Sequence, residues 1–495
     1  MISWLRTSRG FLVCCAIGLT AYIVTASVYV RDAAPNADEG FFVAAAHAVD
    51  RGLTPYIDFP YTQGPLLPYL NSILLKPIGF GVLQLRTLNA ILGALGMVLV
   101  FVMLRRLGAH GGGAIAAAIV WSASASFLYF SIVGKSYAFA QLSLLLSAAS
   151  LLFKRPTAAF LWIAIWGTAA VATRLTTGPA VLALWLGLIH LHRTKLPLVA
   201  AVAAPATLAG LAFLPLLFRD PSNVFFWLWD YHLHFAHAKS RIATIVQTVT
   251  LFPAVSVLAA AALWRCWHTP FSAAKLWLWA GIFGTLSNVF LSGIYSEYAA
   301  PFQALTLVGA LGVLGTLQLR RTAWLTGAAV VCLAAAIANN SYNDEFVRYR
   351  PWLRPSYLKS IEMAGAFVAA NTTEKDWVLS SMPEVPIAAK RPFPPELVMG
   401  KFAITVEMTR EQARSLRLKT FDELVELASE CAPGAVVLTH SKTWSFGMTV
   451  PRIAVLPDEL FNAFLQALRQ HYEIGYQDEH FVVLTRIQPQ GQQSR

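Results

Sequence analysis

The feature that most limits the fold of this chain is a succession of apolar runs, separated by short polar loops, that fills its first two thirds. A helix needs about 20 apolar residues to cross a bilayer, and eleven runs reach or approach that length. They cover residues 11–30, 84–104, 111–131, 137–153, 157–173, 178–191, 196–218, 242–264, 274–293, 300–319 and 323–338. The sequence therefore predicts an all-α polytopic membrane domain with about 11 transmembrane helices over residues 1–340. The fifth and sixth runs are separated only by residues 174–177, which fits either two half-length helices or one broken span.

The charged residues divide the chain at the same place. Only 13% of all residues are charged, about half the share in a soluble protein. Residues 1–338 carry 21 Lys and Arg against 8 Asp and Glu, whereas residues 339–495 carry 17 against 18. The mixed composition predicts a small C-terminal α/β domain over residues 341–495. Its predicted helices cover about 356–371, 421–430 and 458–470, and its predicted strands cover 377–380, 435–439 and 480–487.

The Lys and Arg residues of the short loops predict the orientation, because such residues are retained in the cytoplasm. Their alternation along the chain predicts a multi-pass protein of the cell (inner) membrane, with a cytoplasmic N-terminus and an extracytoplasmic C-terminal domain. The net charge of +12 is then a topological signal rather than a sign of a nucleic-acid partner. All eight acidic residues of the membrane part fall on the outer side: Asp32, Asp38, Glu39, Asp50, Asp58, Asp220, Asp230 and Glu297. Carboxylate chemistry is therefore expected at the outer face.

Several familiar site patterns are incomplete in this sequence. The five cysteines have neither the spacing of a disulfide framework nor that of a zinc module. The Gly-Lys-Ser triplet at 134–136 resembles the end of a phosphate loop, but Tyr129 stands where that motif requires Gly. The histidines His232, His234 and His237 have a spacing that could bind a metal, although a pattern set among aromatic residues in this way is more often an interfacial loop.

The first outer loop has an unusual content. Asp38 and Glu39 follow the first apolar run directly, and an apolar-faced helix is predicted from Gly40 to Asp50. After the segment LTPYIDFPYTQGP, a second short helix is predicted over residues 66–75. Both helices are expected to lie on the membrane surface with their aromatic residues at the level of the headgroups.

These motifs resemble the polytopic glycosyltransferases of the GT-C fold, in particular the bacterial branch akin to protein O-mannosyltransferases and aminoarabinose transferases. The resemblance rests on the Asp-Glu pair after the first membrane helix, on LTPYIDFPYTQGPLLPYL, and on a long helix that ends in Arg-Arg-Leu-Gly. It continues in order through ATRLTTGPAVLAL, FFWLWDYHLHF, YSEYAAPFQAL and VAANTTEKDWVLSSMPEVPIAAKRPFP. It implies transfer of a sugar from a polyprenyl-phosphate donor to a glycan, lipid or protein acceptor on the outer face, with inversion, among membrane lipids.

The resemblance implies that Asp38 is the general base that takes the proton of the acceptor hydroxyl, with Glu39 as a second candidate or as a group that orients the acceptor. The alternative for Asp38 is a cap of the helix that begins at Gly40. Asp58 matches a recurrent family position and is a candidate for acceptor binding or for holding a turn, of which the turn is the commoner role. Gln63, in the same segment, is a candidate substrate contact.

The departing phosphate needs positive charge from a cation or a metal, and the candidate cations are Lys135, Arg174, Lys239 and Arg241. Arg174 interrupts an apolar stretch, so it is expected either to face a cavity or a partner or to snorkel to the headgroups. Lys135 stands in a loop where related enzymes often carry an acid, which argues against a two-carboxylate metal site. The sequence leaves a divalent metal open. The resemblance also implies substrate contacts at His232, Glu297 and Tyr298.

Other classes of function fit some of these features. A transporter or flippase of a lipid-linked or small solute suits a polytopic chain of this length, although no internal repeat is apparent and Arg174 is the one candidate intramembrane charge. An O-antigen ligase or polymerase would share the chemistry but not the pattern of the first outer loop. A non-catalytic assembly or sensor protein would have no need of Asp38 and Glu39.

Overall fold

The structure is a computed structural model. It describes residues 7–33, 36, 38–193, 197, 199–235, 240–268, 270–291, 295–315, 356–442, 445–446, 448–450 and 454–487. The apolar part of the chain is helical. Its helices are α1 (Ser8–Asp32), α2 (Glu39–Asp50), α3 (Leu66–Leu75), α4 (Val82–Arg106), α5 (Gly111–Ala123), α6 (Ala125–Ile132), α7 (Tyr137–Ala149), α8 (Pro156–Thr173), α9 (Gly178–Leu191), α10 (Ala204–Arg219), α11 (Pro221–Phe225), α12 (Tyr231–Phe235), α13 (Arg241–Leu251), α14 (Pro253–Cys266), α15 (Ala273–Leu291) and α16 (Ala300–Gly315).

Ten of the eleven predicted membrane runs coincide with these helices, and the run at 323–338 lies outside the described residues. Within the described part of the chain, five helices are long and apolar enough to cross a membrane. The number rises to seven if α5 with α6, bent by 71°, and α13 with α14, bent by 99°, each count as one span. Pro253 explains the second bend, because proline disfavours a helical conformation in the residue before it. The chain is thus a multi-pass membrane protein, and the count of eleven stays a prediction.

Helices α8 and α9 form an antiparallel hairpin. The Phe160 ring lies 6.4 Å from the His192 ring, and Gly167 packs against Val181. The chain therefore reverses direction at Arg174 and the short 3-10 turn Leu175–Thr177 that follows it. The two predicted half-length runs are separate helices that lie side by side.

Several helix ends that the sequence predicts to be cytoplasmic are joined by direct contacts. Arg105 donates a hydrogen bond to Ser8, which joins the end of α4 to the start of α1. The indole of Trp277 donates to the carbonyl of Ala148, which joins α15 to the end of α7. The opposite ends of α1 and α4 are the end of α1 at Asp32 and the start of α4 at Val82.

Helix α2 is enclosed rather than laid on a membrane surface. Phe41, Phe42 and most of the other α2 side chains are buried, and they belong to the same apolar core as residues 378–404 of the C-terminal region. The prediction of an interfacial α2 with aromatic residues at the headgroups is therefore wrong. It fails because an apolar helix face can be covered by protein as well as by lipid. Helix α3 differs, since it exposes Ile73 and Tyr69.

The C-terminal region is an α/β layer, as predicted. Its main sheet has the order β1 (Val378–Ser380), β4 (Ala435–Thr439), β8 (Phe481–Arg486), β7 (Tyr472–Gln477), with β1 parallel to β4 and the other pairs antiparallel. Small pairs join β2 (Ile404–Thr405) to β3 (Lys419–Thr420) and β5 (Met448–Thr449) to β6 (Ala454–Val455). The helices are α17 (Tyr357–Asn371), α18 (Glu384–Ala388), α19 (Arg410–Ser415), α20 (Phe421–Ser429) and α21 (Asp458–His471). The predicted domain boundary near residue 341 lies outside the described residues.

The C-terminal region rests on the first outer loop and on α11 and the turn after it. Phe402 packs edge-on against Phe41 of α2, with 6.4 Å between the ring centres. The side chain of Asn223 donates to the carbonyl of Ser415 at 2.7 Å, and the indole of Trp227 donates to that of Leu416 at 3.1 Å. These contacts place the α/β layer over the beginning of α2, where Asp38 lies.

Candidate active site

Asp38 does not cap its helix. Its side chain makes no capping hydrogen bond, and its backbone is already in the helical region. Instead, its carboxylate forms a 2.8 Å ion pair with the ammonium of Lys135. The Asp38 side chain is 30% exposed, so its carboxylate is partly accessible. The geometry therefore does not support the capping alternative.

Lys135 lies in the short loop between α6 and α7 and joins two carboxylates. It is 6% exposed and also contacts Glu297 at 3.0 Å. The hydroxyl of Tyr137 donates to the same Glu297 oxygen at 3.0 Å. Burial acts to lower the pKa of Lys135, but the charges of Asp38 and Glu297 outweigh it and raise the pKa well above its ordinary value. Lys135 is therefore a stable cation between two acids.

Arg174 is buried beside this group rather than extended to the headgroups. It is 4% exposed, and it donates to Ser136 at 3.0 Å and to the side chain of Gln63 at 3.1 Å. The guanidinium also lies 4.9 Å from the centre of the Tyr137 ring and 4.4 Å from that of Tyr298. The face of an aromatic ring attracts a cation, and the guanidinium lies over two such faces. The hairpin turn thus places the positive charge of Arg174 beside this group, as expected of a residue that faces a partner.

His232 lies in the wall of the same region. Its Nε2 donates to the carbonyl of Thr62, next to Gln63, at 2.7 Å. Burial chiefly lowers the pKa of His232, and the charge of Arg174 lowers it further. The imidazole is therefore neutral near pH 7 and ties the first outer loop to α12.

Glu39 lies below the site, fully buried. Its two oxygens accept hydrogen bonds from Arg86 at 2.7 and 2.5 Å, and Oε1 also accepts the backbone N–H of Gly134 at 2.7 Å. Arg86 is a charged residue inside an apolar run, which is the signal by which this partner could have been found. The pair holds the loop that carries Lys135. This geometry supports a positioning role for Glu39.

The remaining predicted residues lie elsewhere. The Asp58 carboxylate accepts the backbone N–H of Thr54 at 2.8 Å, which holds a turn. Arg241 is exposed and lies 5.7 Å from the centre of the Phe290 ring. Lys239 and His237 are outside the described residues, as is the side chain of His234.

A divalent metal does not fit the described arrangement. In this part of the chain no three His, Cys, Asp or Glu side chains form a group that could hold a metal ion. The ammonium of Lys135 occupies the place between Asp38 and Glu297 where a cation bridging the two carboxylates would lie. Lys135 therefore supplies the positive charge at this point.

The whole chain is similar in structure to ArnT from Cupriavidus metallidurans, whose crystal structure is bound to undecaprenyl phosphate. The two structures share a TM-score of 0.65 at 14% sequence identity, over 97% of this chain and 99% of that chain. The mycobacterial arabinofuranosyltransferase AftD is a more distant match, with a TM-score of 0.46 and 13% identity over 97% of this chain and 41% of its own. No protein-family model and no curated protein matches the sequence. The chain therefore has a GT-C fold, similar to that of the aminoarabinose transferase ArnT.

Proposed function

We propose that this protein is a membrane glycosyltransferase that moves a sugar from a polyprenyl-phosphate donor to an acceptor on the extracytoplasmic face. The observation that carries the proposal is the direction of Asp38. Its carboxylate turns away from its own helix and towards Lys135, in a group that also contains Glu297 and Arg174. A partly exposed carboxylate beside buried cations is what a base and a phosphate-binding site need together.

The lipid-linked nature of the donor has two supports. The orientation predicted from Lys and Arg puts this group of residues on the outer side, whereas nucleotide sugars are cytoplasmic. The similar protein ArnT is bound to undecaprenyl phosphate in its crystal structure. A donor whose phosphate is attached to a membrane lipid would reach the site from the bilayer.

The proposed reaction is a direct displacement. The acceptor oxygen forms a bond to the anomeric carbon, while the bond from that carbon to the phosphate oxygen breaks and polyprenyl phosphate leaves. Asp38 takes the proton of the acceptor hydroxyl, and the configuration inverts. Lys135 and Arg174 stabilise the additional negative charge on the departing phosphate. No second acid is required, because phosphate leaves without being protonated.

Replacement of Asp38 by Asn tests the base. The variant keeps the shape of the side chain but cannot accept the proton, so transfer should fall by about 100- to 10,000-fold. The measurement is the release of undecaprenyl phosphate from a panel of undecaprenyl-phosphate pentoses and hexoses, with purified protein in nanodiscs and an extract of envelope glycans and lipids as acceptors. Asp50→Asn is the matched control, because Asp50 pairs with the exposed Lys76 at the far end of α2.

Full activity of the Asp38→Asn variant would remove Asp38 as the base. If the wild-type protein carries a labelled solute across vesicles and releases no undecaprenyl phosphate from any donor, the chain is a transporter or flippase and the glycosyltransferase proposal fails.

A further inference from the structure

A groove separates α1 and α4 near the ends of these helices that are predicted to be cytoplasmic. Its volume is about 420 Å³, which lies within the range of about 300–1,000 Å³ that is typical of small-molecule sites. The wall formed by α1 includes Phe11, Cys15 and Leu19, and the wall formed by α4 includes Val98 and Phe101. The groove is therefore lined mainly by apolar side chains.

The shape of the groove follows from how α1 and α4 pack. Further along α1, the two helices are in direct contact. The hydroxyl of Tyr22 donates to the carbonyl of Ala90 at 3.1 Å, and a Cβ atom at Gly93 would lie 2.2 Å from that hydroxyl. Nearer the start of α1, the small side chains of Cys15 and Ala16 line the groove and leave the space between the helices open.

The groove faces the lipid side of the helical part. Helix α1 lies at the edge of this part, since only seven of its 25 residues are buried. Two of the residues that line the groove, Leu12 and Val102, are 65% and 48% exposed. Lipid chains are about as apolar as a leucine side chain, so an open apolar groove at this position suits an acyl chain.

Two arginines of the last turn of α4, Arg105 and Arg106, line the same groove and are exposed. Arg105 donates to Ser8, and its guanidinium lies 5.4 Å from the centre of the Phe11 ring. Neither arginine forms an ion pair with a residue that the structure describes, and residues 59–219 contain no Asp or Glu. The groove therefore combines an apolar channel with two positive charges at one end.

This combination suits an amphipathic anion. The positive charges also serve as a topological signal and complement the helix dipole, but neither of these roles requires an apolar groove beside them. Basic pockets between membrane helices on the cytoplasmic side bind anionic lipid headgroups. A zwitterionic phospholipid fits less well, because its ammonium group would add a third positive charge near the two arginines.

We propose that the groove between α1 and α4 binds an anionic glycerophospholipid, with an acyl chain in the apolar channel and the phosphate group on Arg105 and Arg106. This inference does not depend on the proposed function, since the groove lies at the opposite end of α1 from Asp38. A lipid bound to the native state would stabilise the packing of α1 on α4.

The test measures binding of phosphatidylglycerol and of phosphatidylethanolamine to the full-length protein in detergent by native mass spectrometry. The wild type should prefer phosphatidylglycerol. Arg106→Gln should weaken phosphatidylglycerol about fivefold, and Arg105→Gln/Arg106→Gln about 25-fold, with little change for phosphatidylethanolamine. Arg106→Lys should retain most of the binding. Arg155→Gln is the matched control, since Arg155 is an exposed arginine that precedes α8 and does not line the groove.

A second variant tests the apolar channel. Ala16→Phe fills the groove and leaves both arginines in place, so it should weaken phosphatidylglycerol at least as much as Arg106→Gln does. Ile17→Phe is its control, because Ile17 is the next residue of α1, is 64% exposed and does not line the groove. Thermal unfolding verifies that each variant is folded, and Ala16→Leu replaces the Phe variant if the latter does not fold.

Each part of the inference can be overturned. Equal weakening by Arg155→Gln and Arg106→Gln would indicate a general attraction of anionic lipid to the surface, and no preference of the wild type for phosphatidylglycerol would exclude charge recognition. Unchanged binding in the groove-filling variant would show that no acyl chain occupies the groove. Displacement of phosphatidylglycerol by equimolar undecaprenyl phosphate would assign the groove to a polyprenyl lipid instead.

Discussion

Two neighbouring carboxylates, Asp38 and Glu39, occupy very different environments. Successive residues of a helix point about 100° apart, so the first turn of α2 sends one side chain towards Lys135 and the other towards Arg86. Asp38 is 30% exposed and Glu39 is fully buried. A general base must be reachable by its substrate, which separates the two candidates that the sequence left together.

We predict that Glu39→Gln chiefly lowers the stability of the protein and does not act directly on the reaction. It leaves the Arg86 guanidinium, 1% exposed, without its counter-charge, and loss of one partner of a buried ion pair costs about 3 kcal/mol or more. The melting temperature of the purified protein in detergent should fall clearly. Asp50→Asn should change it little, since the Asp50–Lys76 pair is solvent-exposed. An unchanged melting temperature combined with complete loss of transfer would contradict the positioning role and make Glu39 a candidate for the general base.

At the scale of elements, α2 is the part of the fold on which both halves of the protein converge. One side faces α4 through the Glu39–Arg86 pair, and another faces α18, where the carboxylate of Glu384 packs against Gly40. Tyr357 donates a hydrogen bond to the other Glu384 oxygen and so holds the side chain in place. A Cβ atom at position 40 would therefore require the carboxylate of Glu384 to move.

Gly40→Ala should therefore destabilise the protein, although alanine usually stabilises a helix by about 1 kcal/mol over glycine. The new Cβ would lie 1.8 Å from Glu384 Oε2, and overpacking of this kind costs about 1–3 kcal/mol. The melting temperature should fall for the single variant and recover in Gly40→Ala/Glu384→Ala. Gly113→Ala, where the nearest atom outside the neighbouring residues is 3.5 Å away, is the control. If the double variant does not recover, the contact with Glu384 of α18 is not the cause of the destabilisation at position 40.

At the scale of the whole molecule, the α/β layer is held on the membrane part across a boundary that contains a buried acid. Glu384 is 2% exposed, and its Oε2 has no hydrogen-bond partner among the residues that the structure describes. Burial raises the pKa of Glu384 from 4.5 to about 7, and the nearby charge of Glu39 adds to the rise. Docking of the two parts therefore favours the protonated carboxyl group.

This pKa predicts a pH-dependent stability. A carboxyl group whose pKa is raised by folding stabilises the native state most below its unfolded pKa, and the benefit is lost as the pH rises through the folded pKa. Between pH 5 and pH 8 the wild type should lose about 2 kcal/mol relative to Glu384→Gln. The measurement is the melting temperature of both proteins across this range. His480, whose pKa burial lowers, is present in both and cancels in the difference. If the melting temperatures of the two proteins change in parallel with pH, the raised pKa of Glu384 is contradicted.

Much of the local structure follows from the sequence. The lengths of the apolar runs predict helices such as α1 and α4 within a few residues of their observed ends, because a lipid-facing helix must be continuously apolar. Short patterns also predicted the strands β1, β4 and β8. The strand β7, most of whose residues are not buried, was missed although its sequence YEIGYQ alternates between apolar residues and polar residues or Gly.

The candidate site could be predicted only in part. The sequence identified four residues of types that suit phosphate and proton chemistry, namely Asp38, Lys135, Arg174 and Glu297. The GT-C resemblance suggested them as site residues. Their mutual contacts could not be foreseen, because Lys135 and Glu297 are 162 residues apart in the chain. Contacts at such separations depend on how helices pack, which local patterns do not encode.

The amino-acid sequence alone was sufficient to predict a polytopic helical protein with an outer α/β region and acids on one side of the membrane, since these properties depend on hydrophobicity and charge along the chain. Only the tertiary structure separated the partly exposed Asp38 from the buried Glu39, enclosed α2 beneath the α/β layer and brought Lys135 and Glu297 into contact. These features depend on which surfaces pack together and exclude water, and that is a property of the folded molecule.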